Sequence, residues 1–134
     1  MAHFVLDSYA LLAYFRHEEG AEKIAQLLNE TATGKHELHM SCINAGEVYY
    51  MSYRKDGAEK ASLVWKALQE FPIHIHEVDL SFTFKVAQIK AKYKLSYADA
   101  FAAVLTITKK ATLITGDDEF ENMAGETNFK VNYL

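Results

Sequence analysis

Five short apolar runs divide this chain, and most are separated by stretches long enough to hold helices. The runs are His3–Leu6, Leu38–Met40, Ile73–Val78, Thr112–Thr115 and Phe129–Tyr133. Ile73–Val78 alternates between apolar and polar residues through His76, the period of an extended strand. Between the runs lie segments with helical spacing: Ala10–Phe15, Ala21–Leu28, Ile43–Tyr53 and Ala58–Phe71. In the second of these, Ile24, Leu27 and Leu28 fall on one face. Gly57 breaks the third, and Leu63, Trp65 and Leu68 are among the apolar residues of the fourth. Asp79 is placed to cap a further helix running to about Tyr93, and Ser96 one running through Ala98 to Ile107. Strands joined through helices pair in parallel by right-handed crossovers, so the pattern specifies an α/β fold with an edge strand at Phe129–Tyr133.

At 134 residues the chain fits one domain, 1–134, and with half its residues hydrophobic it can fill one core. No apolar stretch approaches the roughly 20 residues needed to cross a bilayer. The opening residues lack a basic region and reach Asp7 early, unlike a secretory leader. Cys42 stands alone and has no intramolecular disulfide partner, which fits a cytoplasmic location. The net charge of −4 is the wrong sign for a protein that holds phosphate backbones by bulk electrostatics. A nucleic-acid reading therefore needs divalent cations or a local basic patch. Neither of the glycine-rich phosphate loops is present.

Four acidic residues stand where an α/β fold gathers side chains. Asp7 follows the first strand, and Asp117 follows the fourth within Thr115-Gly116-Asp117-Asp118. Ligand sites in open parallel sheets lie beyond the carboxyl ends of the strands. Glu47 lies in the helix after the second strand, and Asp99 in the first turn of the helix capped by Ser96. Each has an ordinary reading alone. Asp7 and Asp117 make good helix caps, Ser96-Tyr97-Ala98-Asp99 fits a capping box, and Glu47 fits a solvated helix face. Together they carry a cost that caps do not explain. Two carboxylates about 5 Å apart repel by roughly 3 kcal/mol at an effective dielectric near 20. A hard divalent cation removes that cost.

These residues resemble a known family. Val5-Leu6-Asp7-Ser8, Asn44-x-x-Glu47, Leu95-Ser96-x-Ala98-Asp99-Ala100 and Leu113-Ile114-Thr115-Gly116-Asp117-x-x-Phe120 occur in the order and at the intervals of the PIN domains, specifically the VapC-type toxins of prokaryotic toxin–antitoxin pairs. The resemblance covers nearly the whole chain. It implies a three-layer α/β/α sandwich with a mostly parallel, five-stranded sheet. It implies an Mg²⁺- or Mn²⁺-dependent endoribonuclease acting on structured RNA such as tRNA or rRNA. Asp7 and Asp99 would be the principal metal ligands and Glu47 and Asp117 would complete the site. Ser8 and Thr115 would support the carboxylates. The resemblance also implies a homodimer and an antitoxin that blocks the cleft. Asp118 adds an acid where many relatives carry a basic or polar residue.

Other residues carry weaker signals. Arg16, Lys35, Arg54, Lys55, Lys90, Lys92 and Lys94 are candidate RNA contacts, and Arg16 leads because it lies one helix beyond Asp7. Tyr9, Tyr14 and Phe15 read first as core and second as a stacking surface. His74 and His76 share a strand face at a spacing that can bind metal, but no further imidazole or thiolate is evident beside them. His36 and His39 carry little signal, and Cys42 reads as a small buried residue. A phosphoaspartyl hydrolase is disfavoured because Tyr9 stands where a second aspartate is needed. A receiver module is disfavoured because Asp79 reads as a cap. A non-catalytic PIN-like RNA-binding or scaffold domain is the remaining alternative, and the intact acidic quartet argues against it.

Overall fold

A computed structural model describes residues 1–134. Strand β1 (Ala2–Leu6) leads into helices α1 (Ser8–Phe15) and α2 (Ala21–Ala32). Strand β2 (His36–Ser41) precedes α3 (Cys42–Asp56) and α4 (Ala58–Glu70). Strand β3 (Ile73–His76) precedes α5 (Leu80–Lys92) and α6 (Tyr97–Thr108). Strand β4 (Thr112–Thr115), a short 3₁₀ helix (Asp118–Met123) and β5 (Lys130–Tyr133) complete the chain. The five strands form one sheet in the order β3-β2-β1-β4-β5. Every pair is parallel.

Alternation along each strand divides the apolar residues between two cores. Val5 and Leu113 face a core built with α5, α6 and the 3₁₀ helix, through Val86, Ile89, Phe101, Leu105 and Phe120. Leu6, Leu38, Met40 and Ile114 face the other, built with α1 to α4 through Leu11, Ile24, Val48 and Leu68. The result is the expected α/β/α sandwich.

The expected caps are present. Asp79 accepts from Phe82 N at 2.8 Å and opens α5. Ser96 Oγ accepts from Asp99 N at 3.1 Å and opens α6. Gly57 separates α3 from α4 with φ of +91°, a conformation that costs a side-chain-bearing residue strain. Two expectations need correction, the end of β3 and the burial of Cys42. β3 ends at His76, not Val78, because Val78 turns away to pack against the α5/α6 core and Asp79 begins the cap. In α4 the buried residues are Ala61, Val64 and Leu68, so Leu63 and Trp65 face outward. Cys42 is only half-buried, as the first residue of α3.

Candidate active site

The strand order reverses between β1 and β4. β1 continues to β2 and β3 on one side, and β4 to β5 on the other. A cleft of about 470 Å³ opens nearby, lined by Ser8, Arg16, Glu47, Ser96, Asp99 and Asp117 among others. This is the position at which parallel sheets offer a binding crevice. Asp7 lies at the carboxyl end of β1 and is 1% exposed. The four candidate acids thus come from four separate parts of the chain.

Asp7 is the N-cap of α1. Its Oδ1 accepts from Ala10 N at 2.9 Å, and its Oδ2 accepts from Thr115 Oγ1. Thr115 Oγ1 also accepts from Asp117 N at 3.0 Å, so one buried hydroxyl at the end of β4 ties Asp7 to the Asp117 backbone. Asp117 then caps the 3₁₀ helix by accepting from Glu119 N at 2.9 Å. The cap readings of Asp7 and Asp117 are correct and do not compete with a site reading, because capping occupies one oxygen of each carboxylate.

Glu47 is held from two sides. Ser8 Oγ donates to its Oε1 at 2.8 Å, and Asn44 Nδ2 lies 3.3 Å from the same oxygen. Asn44 Nδ2 also donates to Ala98 O at 3.1 Å, which couples α3 to the first turn of α6. Fully buried Asn44 is therefore a brace between Glu47 and the segment carrying Asp99.

Asp99 departs from the local rule. In a capping box the acid three residues after the cap reaches back to the cap's own N–H. Here Ser96 N donates instead to Glu119 Oε1 at 2.7 Å. The Ser96 side chain is the one hydrogen-bond partner that offsets burial of the Asp99 carboxylate, and the residue lines the cleft. Glu119 was not legible as a site residue. Its partner lies 23 positions earlier, and only the turn after β4 brings the two together.

Electrostatics report the crowding. Burial pushes Asp7 from 3.8 up to about 7 against the two hydrogen bonds it accepts, with Asp117 and Glu47 adding repulsion. Burial likewise pushes Asp99 up to about 7, and Asp117, Asp7 and Glu47 add to it. The donor set is all oxygen, and Asp99 has unshared lone pairs beside three further carboxylates. That chemistry fits a hard divalent cation of the Mg²⁺ or Mn²⁺ type, which takes oxygen ligands and retains water.

The remaining candidates divide. Arg16 and Tyr9 line the cleft. Tyr9 lies so close to Gly116 that a Cβ there would fall 2.2 Å from its ring, so the glycine is required by the turn after β4. Tyr14 and Phe15 pack against Phe71 and belong to the core. Lys35 pairs with Glu30 at 2.7 Å, Arg54 lies over the Tyr50 ring, and Lys92 pairs with Glu126 at 3.7 Å. Lys55, Lys90 and Lys94 do not line the cleft. Asp118 is exposed and lies outside the cleft wall.

The parallel α/β/α sandwich places its acid-lined crevice at the switch point, and the family follows from a match along the sequence. Residues 4–126 match the PIN domain, and the chain belongs to that family. No curated protein matches the sequence. Among solved structures, the chain is similar to VapBC2 from Rickettsia felis bound to a DNA fragment from its promoter. The TM-score is 0.75 at 15% identity, over 98% of each chain. It is similar to DNA-bound VapBC from Salmonella typhimurium, with a TM-score of 0.75 at 16% identity, over 99% of this chain and 98% of that one. It is also similar to VapC20 from Mycobacterium tuberculosis, a sarcin–ricin loop cleaving toxin. There the TM-score is 0.72 at 12% identity, over 92% of this chain and 95% of that one. No helix is long and apolar enough to cross a membrane.

Proposed function

We propose that this PIN domain is a divalent-metal-dependent endoribonuclease of the VapC toxin kind, hydrolysing phosphodiester bonds in structured RNA such as tRNA or rRNA. The observation that carries the reading is the convergence of Asp7, Glu47, Asp99 and Asp117 at the β1/β4 switch point, with Asp7 and Asp99 both raised to about 7 by burial and mutual repulsion. Paired buried carboxylates are costly in a scaffold and useful in a metal site. The similarity to an rRNA-loop-cleaving toxin and to VapBC complexes supports the same reading.

In this mechanism Asp7 and Asp99 would hold Mg²⁺ or Mn²⁺, with Glu47 and Asp117 completing the set. Bound there, the cation would supply charge neutralisation at the scissile phosphate and would acidify nearby water. Ser8 and Asn44 fix the Glu47 rotamer, and Thr115 fixes that of Asp7. Arg16 meets a phosphate of the incoming strand, and Tyr9 offers a half-exposed ring for a base to stack on. Water is the nucleophile and the 3′-oxygen leaves, giving a 5′-phosphate and a 3′-hydroxyl. The ribose 2′-hydroxyl takes no part.

An antitoxin is the expected partner in the cytoplasm. The apolar groove lined by Gly46, Tyr49, Ser62 and Trp65, one residue from Glu47, suits a segment that reaches the cleft. The exposed Leu80 and Phe84 on α5 suit a homodimer contact.

The test is cleavage of total prokaryotic RNA by purified, antitoxin-free protein with Mg²⁺ or Mn²⁺. Discrete fragments that vanish with EDTA and with Asp99→Ala are expected. Intact RNA, with metal bound and the fold confirmed, would favour the non-catalytic scaffold.

A further inference from the structure

A second group of ligating side chains lies on the sheet itself. His3 on β1, Glu37 and His39 on β2, and His74 and His76 on β3 share one face. Register places them there, pairing His3 with Glu37, His39 with His74 and Ser41 with His76. It is the face that also carries Val5, toward α6, and at β3 it is partly open, with His74 exposed.

Three donor atoms converge. His3 Nδ1 lies 3.0 Å from Glu37 Oε2 and 3.1 Å from His39 Nε2, and the third edge, His39 Nε2 to Glu37 Oε2, is 3.9 Å. These edges bracket the roughly 3.4 Å that separates two tetrahedral ligands held about 2.1 Å from Zn²⁺.

Proton counting points the same way. His39 Nδ1 lies 2.8 Å from His76 Nε2. With His39 Nδ1 as the donor in that link, the neutral ring presents a bare lone pair at Nε2. That lone pair faces His3 Nδ1, which also faces the Glu37 carboxylate. One hydrogen on His3 Nδ1 serves one of these two acceptors well, whereas a cation serves all three donors. The His39–His76 link is also how ligating imidazoles are oriented, through the ring nitrogen remote from the metal. Burial and the neighbouring His76, His3, His74 and Lys109 hold His39 down at about 4, so its ring is neutral near pH 7.

We infer that His3, Glu37 and His39 form a second metal site, oriented by His76, for a divalent transition metal of the Zn²⁺ class. Two imidazoles and one carboxylate suit such an ion better than Mg²⁺. The His3 and Glu37 side chains are 35% and 40% exposed, which gives the ion a path in and leaves a position for water. The site is distinct from the acidic cleft. His3 and Asp7 are four positions apart, about 13 Å along an extended strand. Bound metal would clip β1 to β2 near their amino ends, and the inference does not depend on the ribonuclease reading.

Co²⁺ titration of the full chain carrying Asp7→Asn and Asp99→Asn tests it, followed by ligand-field absorption and then Zn²⁺ competition. One equivalent of Co²⁺ displaced by Zn²⁺ is expected. His76→Phe should weaken binding by about 10- to 100-fold, the range for loss of an orienting partner, and His3→Gln or Glu37→Gln by at least as much. Failure of the folded chain to bind one equivalent overturns the inference. So does binding that His3→Gln and Glu37→Gln leave unchanged.

Discussion

Replacing Asp7 by Asn should stabilise the metal-free protein at alkaline pH and not at acidic pH. Asp7 is buried, and its carboxyl rises from 3.8 to about 7 in the folded chain. Between those values the folded chain keeps a proton that the unfolded chain has released, so raising the pH favours unfolding. The penalty is absent below 3.8 and complete above about 7. At about 1.4 kcal/mol per pH unit, the difference between 3.8 and about 7 comes to about 4 kcal/mol. Asparagine escapes that penalty. It keeps an oxygen for Ala10 N but disturbs the bond from Thr115, a loss of about 1 kcal/mol. The variant should therefore be more stable by about 3 kcal/mol at pH 8 and less stable by about 1 kcal/mol near the acid end. For a chain of this size, 3 kcal/mol moves the melting midpoint by about 10 °C. Urea melts in EDTA at a series of pH values read the effect directly. Mg²⁺ should then stabilise the wild type and leave the variant unmoved. Equal destabilisation by Asp7→Asn at both pH extremes would refute burial as the source of the raised value.

Further outcomes follow from the site's geometry. Gly116→Ala should cost about 1–3 kcal/mol by driving a Cβ into the Tyr9 ring, and Tyr9→Ala in the same chain should recover much of it in a double-mutant cycle. Glu119→Ala removes the acceptor of Ser96 N and lets Asp99 swing back to complete the capping box. Stability should fall by about 1 kcal/mol while Mg²⁺ affinity, read by calorimetry, falls several-fold. Asp118→Asn should leave RNA cleavage within about two-fold of wild type, since the side chain is exposed and outside the cleft.

Periodicity made most of this architecture legible. All five strands and six α-helices occur in the expected order, with β3 two residues shorter than expected and α5 and α6 placed by their caps, because burial of alternating or three-to-four-spaced residues is a local pattern with a global consequence. Asp7, Asp99 and Asp117 were legible as candidates through their positions at strand and helix ends, and Glu47 through the apolar helix that carries it. Contacts between distant segments were not. His39 carried little signal alone, since its meaning depends on a register that sets it beside His3 and His76, 36 and 37 positions away. Glu119 was hidden for the same reason. Asp117 and Asp118 are indistinguishable as letters. The hydroxyl of Thr115 anchors the Asp117 backbone beside the cleft, and the next residue points out.

Asp99 shows how a local rule and a global site compete for one side chain. Ser-x-x-acid is a capping signal, and the Ser96 half of it operates as expected. Completion of the box would turn the carboxylate toward Ser96 N and away from the crevice. Glu119 occupies that N–H first and also lines the cleft, so the α6 end is satisfied without Asp99. The consequence is a buried carboxylate offset only by the Ser96 side chain, raised to about 7 by burial and by Asp117, Asp7 and Glu47. Such a group destabilises the metal-free fold above that pH and is relieved by any ligand that brings positive charge. Fold and function are therefore thermodynamically linked at this residue. On the proposed metal reading, the arrangement that weakens the bare protein would give a divalent cation its affinity, and metal binding should strengthen as pH rises through about 7, when Asp7 and Asp99 release their protons.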